Sequence, residues 1–170
     1  NTSLTIDLKG HTITFTDDND RVFLCDKWGE LTIKDSSSGK TGVITGGVGD
    51  RGGFCYLIGK FNFLGGTIKN AHAISKRENG DNVEHYYTDG VGGAVYVQTE
   101  AEFIMDGGNI EDCSAYGYTH VVMKNDEGEI TYEGDLNIKS YNNEYFKGWI
   151  PHMGGAVFIH ASDGDTRGGT

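Results

Sequence analysis

The sequence predicts an all-β protein wound as a parallel β-helix, a β-solenoid of about four full coils with partial coils at both ends. Three observations predict it: dense glycine punctuation, a short strand signature that recurs in phase, and no amphipathic helical stretch of useful length. Glycine supplies 27 of 170 residues, about twice its usual ~7% share, and proline occurs once. No Gly-X-Y period exists, so collagen is excluded. Aromatic residues at 11%, interleaved with Val, Ile and Leu, exclude a disordered chain. The glycines are therefore turns between strands.

The first strand pair is read at Leu4-Thr-Ile-Asp-Leu-Lys-Gly-His-Thr-Ile13, with copies at Phe61-Asn-Phe-Leu-Gly-Gly-Thr-Ile68 and Phe103-Ile-Met-Asp-Gly-Gly-Asn-Ile110. Each is an alternating strand, a glycine corner and a second strand carrying Ile. Looser copies run from Leu31-Thr-Ile33 to Gly42-Val-Ile44 and from Ile130-Thr-Tyr132 to Leu136-Asn-Ile138. A third strand precedes each pair. Gly52-Gly-Phe-Cys-Tyr-Leu57, Gly92-Gly-Ala-Val-Tyr-Val97 and Gly154-Gly-Ala-Val-Phe-Ile159 share it, with Phe23-Leu-Cys25 and Val121-Val-Met123 in the corresponding places. Three short strands per coil follow. Stacking equivalent strands ~4.8 Å apart aligns inward side chains into rows. The predicted rows include Ile13, Ile44, Ile68, Ile110 and Ile138, with Val95, Val97, Phe103 and Met105 also facing inward.

The run Gly-Gly-Ala-Val-Tyr-Val97 followed by Phe103-Ile-Met-Asp-Gly-Gly-Asn-Ile-Glu-Asp-Cys-Ser-Ala115 resembles the pectate-lyase-like parallel β-helix repeats of large surface proteins from Gram-positive, often gut-dwelling, bacteria. Gly-Gly-Ala-Val also resembles repeats in polymorphic outer-membrane adhesins. The resemblance covers most of the chain between Leu4 and Ala161. It implies a right-handed β-helix and an extracellular, cell-surface location. It leaves activity open, because this fold carries lyases, hydrolases, adhesins and passive stalks. The chain begins at a strand and ends within a coil, so residues 1–170 are expected to be one β-helix domain cut from a larger surface protein, with adjoining coils as neighbours.

Charge and cysteine content narrow the partners. Fourteen basic against 25 acidic side chains leave a net charge of −11, a field that repels nucleic acid and anionic lipid. No run approaches the ~18 consecutive apolar residues of a membrane-spanning helix, so no membrane insertion is expected. Cys25, Cys55 and Cys113 are odd in number and lack CxxC spacing, which favours buried free thiols over a disulfide framework or a zinc site.

Function is sought in the insertions, because insertions in a solenoid become loops on one face. Two are long, 71–91 and 139–153, and Cys113–His120 is their shorter equivalent. Tyr86, Tyr87, Tyr116, Tyr118, Tyr145 and Trp149 fall there. Aromatic faces beside carboxylates and amides suit a carbohydrate, whose apolar faces stack while its hydroxyls bond. The same rings equally suit packing of the loops against the flank, which would make the chain a structural stalk. Glu84, Asp89, Asp112 and Glu144 are the carboxylates through which a glycoside hydrolase or lyase would work. No pair of them has a spacing that marks the ~5–10 Å carboxylate separation of a hydrolase.

Other motifs are weaker. Ser36-Ser-Ser-Gly-Lys-Thr41 lacks the first glycine of a phosphate loop, and no helix follows it. Gly46-Gly-Val-Gly-Asp50 imitates a calcium nonapeptide but does not recur. His72, His85, His120 and His152 have no zinc spacing. Calcium at Asp17, Asp18 and Asp20, or at Asp163 and Asp165, has no further support, and no cofactor is expected. The sequence thus points to a non-catalytic extracellular surface or adhesin module whose partner is a carbohydrate or host surface ligand.

Overall fold

A strand places alternate side chains on opposite faces, and parallel pairing in constant register carries that alternation from one strand to the next. The computed structural model is built on this rule. It describes residues 2–17, 20–74, 83–86, 90–117, 120–124, 130–135, 138–139, 145–146, 150–151 and 155–160, among which there is strand and no helix. Four stacks of short strands make up the body. Sheet A contains Thr2–Asp7, Gly29–Lys34, Lys60–Phe63 and Glu102–Met105. Sheet B contains Thr12–Thr14, Val43–Thr45, Thr67–Lys69 and Asn109–Glu111. Sheet C contains Val48–Gly49, His72–Ile74, Ser114–Gly117 and Ile150–Pro151, and sheet D contains Phe23–Cys25, Cys55–Leu57, Val95–Val97 and Val157–Ile159. The chain visits them in the order A, B, C, D and then returns to A. Every pairing inside these stacks is parallel except that of Ile150–Pro151.

The inward rows are largely those predicted. Leu4, Leu31, Phe61 and Phe103 align in sheet A, and so do Ile6, Ile33, Phe63 and Met105. Ile13, Ile44, Ile68 and Ile110 align in sheet B. Phe23, Cys55, Val95 and Val157 form one row of sheet D, and Cys25, Leu57, Val97 and Ile159 another. The middle members are buried, including Ile33, Phe61, Phe63, Ile68, Cys55 and Val95. Phe61 packs ring to ring against Phe54, Phe63 and Phe103 at 5.9, 6.1 and 5.2 Å. Exposure rises only at the edge strands, where Leu4, Ile13 and Met105 are 47%, 42% and 46% exposed. Cys25, Cys55 and Cys113 are free thiols, the first two buried.

Three expectations are corrected. A coil has four strands rather than three. The missed strand, in sheet C, carries Gly49, Ala73 and Ala115 in register, residues too small to signal an apolar row. Ile138 does not continue the isoleucine row, since it pairs antiparallel with Phe146. Val121–Met123 and Ile130–Tyr132 likewise leave the stacks, pairing antiparallel within a three-stranded sheet of Val83–Tyr86, His120–Lys124 and Ile130–Asp135. Alternation declares a strand, but it does not name the strand's partner.

The Gly-Gly signature has two separate causes. Gly92 has φ of 64°, the left-handed region, where a side chain is disfavoured. Gly93 is not left-handed; a methyl there would overlap the Gly155 carbonyl and the Ser114 backbone of neighbouring strands. At Gly155 the nearest atom to such a methyl is 4.0 Å away. Gly93→Ala should therefore destabilise the protein by about 1–3 kcal/mol, whereas Gly155→Ala should stay within about 0.5 kcal/mol of the parent. Urea melts of the two variants check the contrast.

One buried acid ties the A–B corner together. Asp35 is 2% exposed, and its carboxylate accepts backbone N–H bonds from Gly42, Gly10 and Ser37 at 2.6, 2.9 and 3.0 Å. Gly10 belongs to the preceding coil, so this one side chain joins two turns. Burial pushes its pKa up, but the bonds from Gly42, Ser37 and Gly10 outweigh burial and hold the group at about 2. Because the folded value lies below the ordinary 3.8, the stabilisation is complete above that pH and disappears as pH falls toward about 2. Asp35→Ala should lower stability at neutral pH and remove this part of the acid sensitivity. Denaturation midpoints of both proteins across the acid range test it.

Candidate functional site

The insertions leave the stacks at the corner between sheets C and D, and backbone pairing draws them together. Val83–Tyr86, from the first, lies antiparallel to His120–Lys124, with Tyr86 opposite His120 and Glu84 opposite Val122. Ser114–Gly117 pairs with Ile150–Pro151 of the last, with Tyr116 opposite Pro151. The first two expected insertions are therefore narrower than the sequence suggests: His72–Ile74 and Ser114–Gly117 are sheet C strands paired in parallel, so Tyr116 belongs to the stack, and only the segments beyond them leave it. Tyr145 sits apart from these pairings, opposite Lys139 in a two-stranded piece.

The other expected residues are distributed as follows. Asp112 is exposed and occupies a left-handed turn at the B–C corner, with φ of 51°; Asn70 adopts φ of 54° at the same corner one coil earlier. Asp and Asn tolerate that conformation better than other side chains, which accounts for Asp112 through turn geometry, one corner away from the loops. Tyr87, Asp89, Tyr118, Glu144 and Trp149 lie outside the described residues, as do Asp18, Asp163 and Asp165. Among the described residues no group of three or more His, Cys, Asp or Glu is placed to hold a metal ion. His72, on sheet C, meets the Ser114 hydroxyl at 2.6 Å through its Nδ1. Burial pushes the thiols of Cys25, Cys55 and Cys113 up, which disfavours the nucleophilic thiolate.

Next to the loop corner lies a feature that the insertions did not suggest. The outer face of sheet D carries Leu24, Tyr56, Tyr96 and Phe158 in one row. Tyr56 and Tyr96 stack at 5.1 Å, and Tyr96 and Phe158 at 5.6 Å. On the loop side, Arg21 lies 5.2 Å from the Tyr56 ring and Arg51 lies 5.5 Å from the Tyr96 ring. Asp50 pairs with Arg21 at 2.7 Å. On the other side the Tyr56 hydroxyl donates to Gln98 at 2.9 Å, and Thr99 meets His160 at 3.0 Å. Tyr96 is only 4% exposed, and burial raises its hydroxyl pKa while Arg51 opposes that rise. A sequence signal for the row existed: an aromatic residue fills the fifth place of all three Gly-Gly signatures.

Comparison with family models, with curated proteins and with solved structures returned no match for this chain. The Tyr56–Tyr96 pair spends its ring faces on itself, so it should behave as a packing unit. Tyr56→Ala and Tyr96→Ala should show a coupling of about 0.5–1.5 kcal/mol in a double-mutant cycle measured by denaturation. Strict additivity would contradict that role.

Proposed function

We propose that the parallel stacks close into a right-handed, pectate-lyase-like β-helix, and that residues 1–170 form one domain of a larger bacterial surface protein of the Gram-positive, gut type. In this reading the domain is a non-catalytic extracellular module that binds a glycan or another host surface ligand at the C–D corner. The observation that supports it is strand pairing beyond sheet C: Tyr86 lies opposite His120 in one antiparallel pair, and Tyr116, at the end of a sheet C strand, lies opposite Pro151 in another. Aromatic residues gathered on segments held by strand pairing suit recognition, since a preordered site loses less entropy on binding. The exposed Leu4, Ile13 and Met105 belong to rows whose middle members are buried, which supports adjoining coils of a longer polypeptide as partners of these edges.

A stalk without a ligand is the second reading, favoured by the rings of sheet D that pack against one another. Binding of the purified chain to a broad glycan panel separates the two. The module reading expects saturable binding without product, weakened about tenfold or more by Tyr86→Ala with Tyr116→Ala. Binding to no glycan by the folded protein favours the stalk. Release of new reducing ends or unsaturated sugars would replace both with an enzyme.

A further inference from the structure

The two arginines beside the aromatic row of sheet D differ in one respect. The dipeptide Asp-Arg occurs twice, as Asp20-Arg21 and Asp50-Arg51. In each, the arginine backbone N–H donates to the preceding carboxylate, at 2.8 and 2.9 Å. Each guanidinium then lies over the tyrosine of the following coil, Tyr56 or Tyr96. Arg21 also meets a carboxylate of that following coil, Asp50, at 2.7 Å, and donates to the Arg51 carbonyl at 2.9 Å. For Arg51 the corresponding carboxylate does not exist. Arg51 is bridged in parallel to Val91, so the residue above Asp50 in the next coil is Gly90, which has no side chain.

Among the described residues no oxygen accepts a hydrogen bond from the Arg51 guanidinium, whose contact is the Tyr96 ring at 5.5 Å. A guanidinium stacked by its face keeps its N–H groups in plane, where they can grip a carboxylate with two parallel bonds. Arg51 is partly exposed, with Arg21 in the coil before it and Val91 in the coil after it. Its open fork is therefore not the product of a stack edge. Ala73 pairs with Gly49 and Val91 with Arg51, so the first loop departs and returns one coil beyond Asp50 and Arg51. Arg51 thus stands at the foot of the loop that carries Tyr86.

We propose that Arg51 receives the carboxylate of an acidic sugar, repeating with a ligand the contact that Arg21 makes with Asp50. The inference rests on the reading of the C–D corner as a glycan site and names the class of glycan. One open fork suits one carboxylate. The net charge of −11 opposes further anions, so the ligand is an oligosaccharide ending in a single sialic or uronic residue, not a uronate polymer. That opposing field is screened beyond ~8 Å at physiological ionic strength, whereas the fork acts at hydrogen-bond distance.

Calorimetry with 3′-sialyllactose and with glucuronyl-xylotriose, each beside its neutral methyl ester, tests the proposal. At least one acid should bind saturably, with its ester about tenfold or more weaker. Arg51→Gln should bring that acid down to the level of the ester and leave the ester unchanged. Arg51→Lys keeps a cation over the ring without the fork, and its affinity should fall between the two. Tyr96 remains stacked between Tyr56 and Phe158 in both variants, so circular dichroism should match the parent. Tyr86→Ala with Tyr116→Ala should weaken acid and ester by the same factor. Esters or other neutral glycans that bind as tightly as the acids would overturn the inference and leave the glycan reading standing. Acid selectivity that survives Arg51→Gln, or tighter binding of a galacturonate tetramer, would do the same. Binding to no glycan, acidic or neutral, would overturn both.

Discussion

Register between successive coils is the constraint on which everything else depends. Each short strand satisfies its backbone groups mainly with the coil before and the coil after it, so no coil can bury its own polar backbone alone. Parallel pairing also fixes which side chains meet: residue types must match down a row rather than along the chain. Ile44 above Ile68 and Phe61 beside Phe103 are products of that rule. A slip of one residue would turn Ile44 outward and put Val43 or Thr45 in the core. The corners hold the register. Asp35 does so by bonding Gly10 of one coil and Gly42 of the next, and Gly93 does so by letting neighbouring backbones approach where any Cβ would collide.

This dependence explains which parts of the fold were legible in the sequence. Rows built from large residues announce themselves, because Leu4, Leu31, Phe61 and Phe103 recur with the same neighbours and glycine corners. The row of Gly49, Ala73 and Ala115 does not, since its residues fill little space and resemble the surrounding turns. Ile138 shows the reverse error. Its local alternation is as good as that of Ile110, yet its partner is Phe146 in an antiparallel pair. Local pattern encodes strand character, and pairing depends on contacts far along the chain.

The candidate sites divide along the same line. Long aromatic insertions are conspicuous in sequence, and the pairing of Tyr86 with His120 joins segments of two of them; Tyr116 was read as loop but belongs to a sheet C strand, whose small inward residues hid it. Asp112 was conspicuous only as a carboxylate, and its backbone angle shows a turn role that the sequence reading did not assign. Trp28 was not conspicuous. It stands in a short turn between Asp26-Lys27 and Gly29, at the outer edge of the stack. Lys60, Gln98 and Glu102 become its neighbours only when three coils stack.

Parallel stacks of short strands therefore separate inward from outward positions more completely than a globular core does. Inward positions serve the rows, and every second residue is left outward to form a row of its own at the strand spacing. On sheet D that outward row is spent internally: Tyr56, Tyr96 and Phe158 stack on one another, and Arg21 and Arg51 sit over the rings. On sheet A it is not, because Glu30, Lys60 and Glu102 face solvent with charges that pair only along the surface. The stacked rings lie between the loop corner and the Trp28 turn, touching Arg51 on one side and Gln98 on the other. Gln98 is held there by the Tyr56 hydroxyl, while the ring faces are covered by one another and by the arginines. The corners are where the repeat permits substitution, and the rows between them keep a fixed strand spacing.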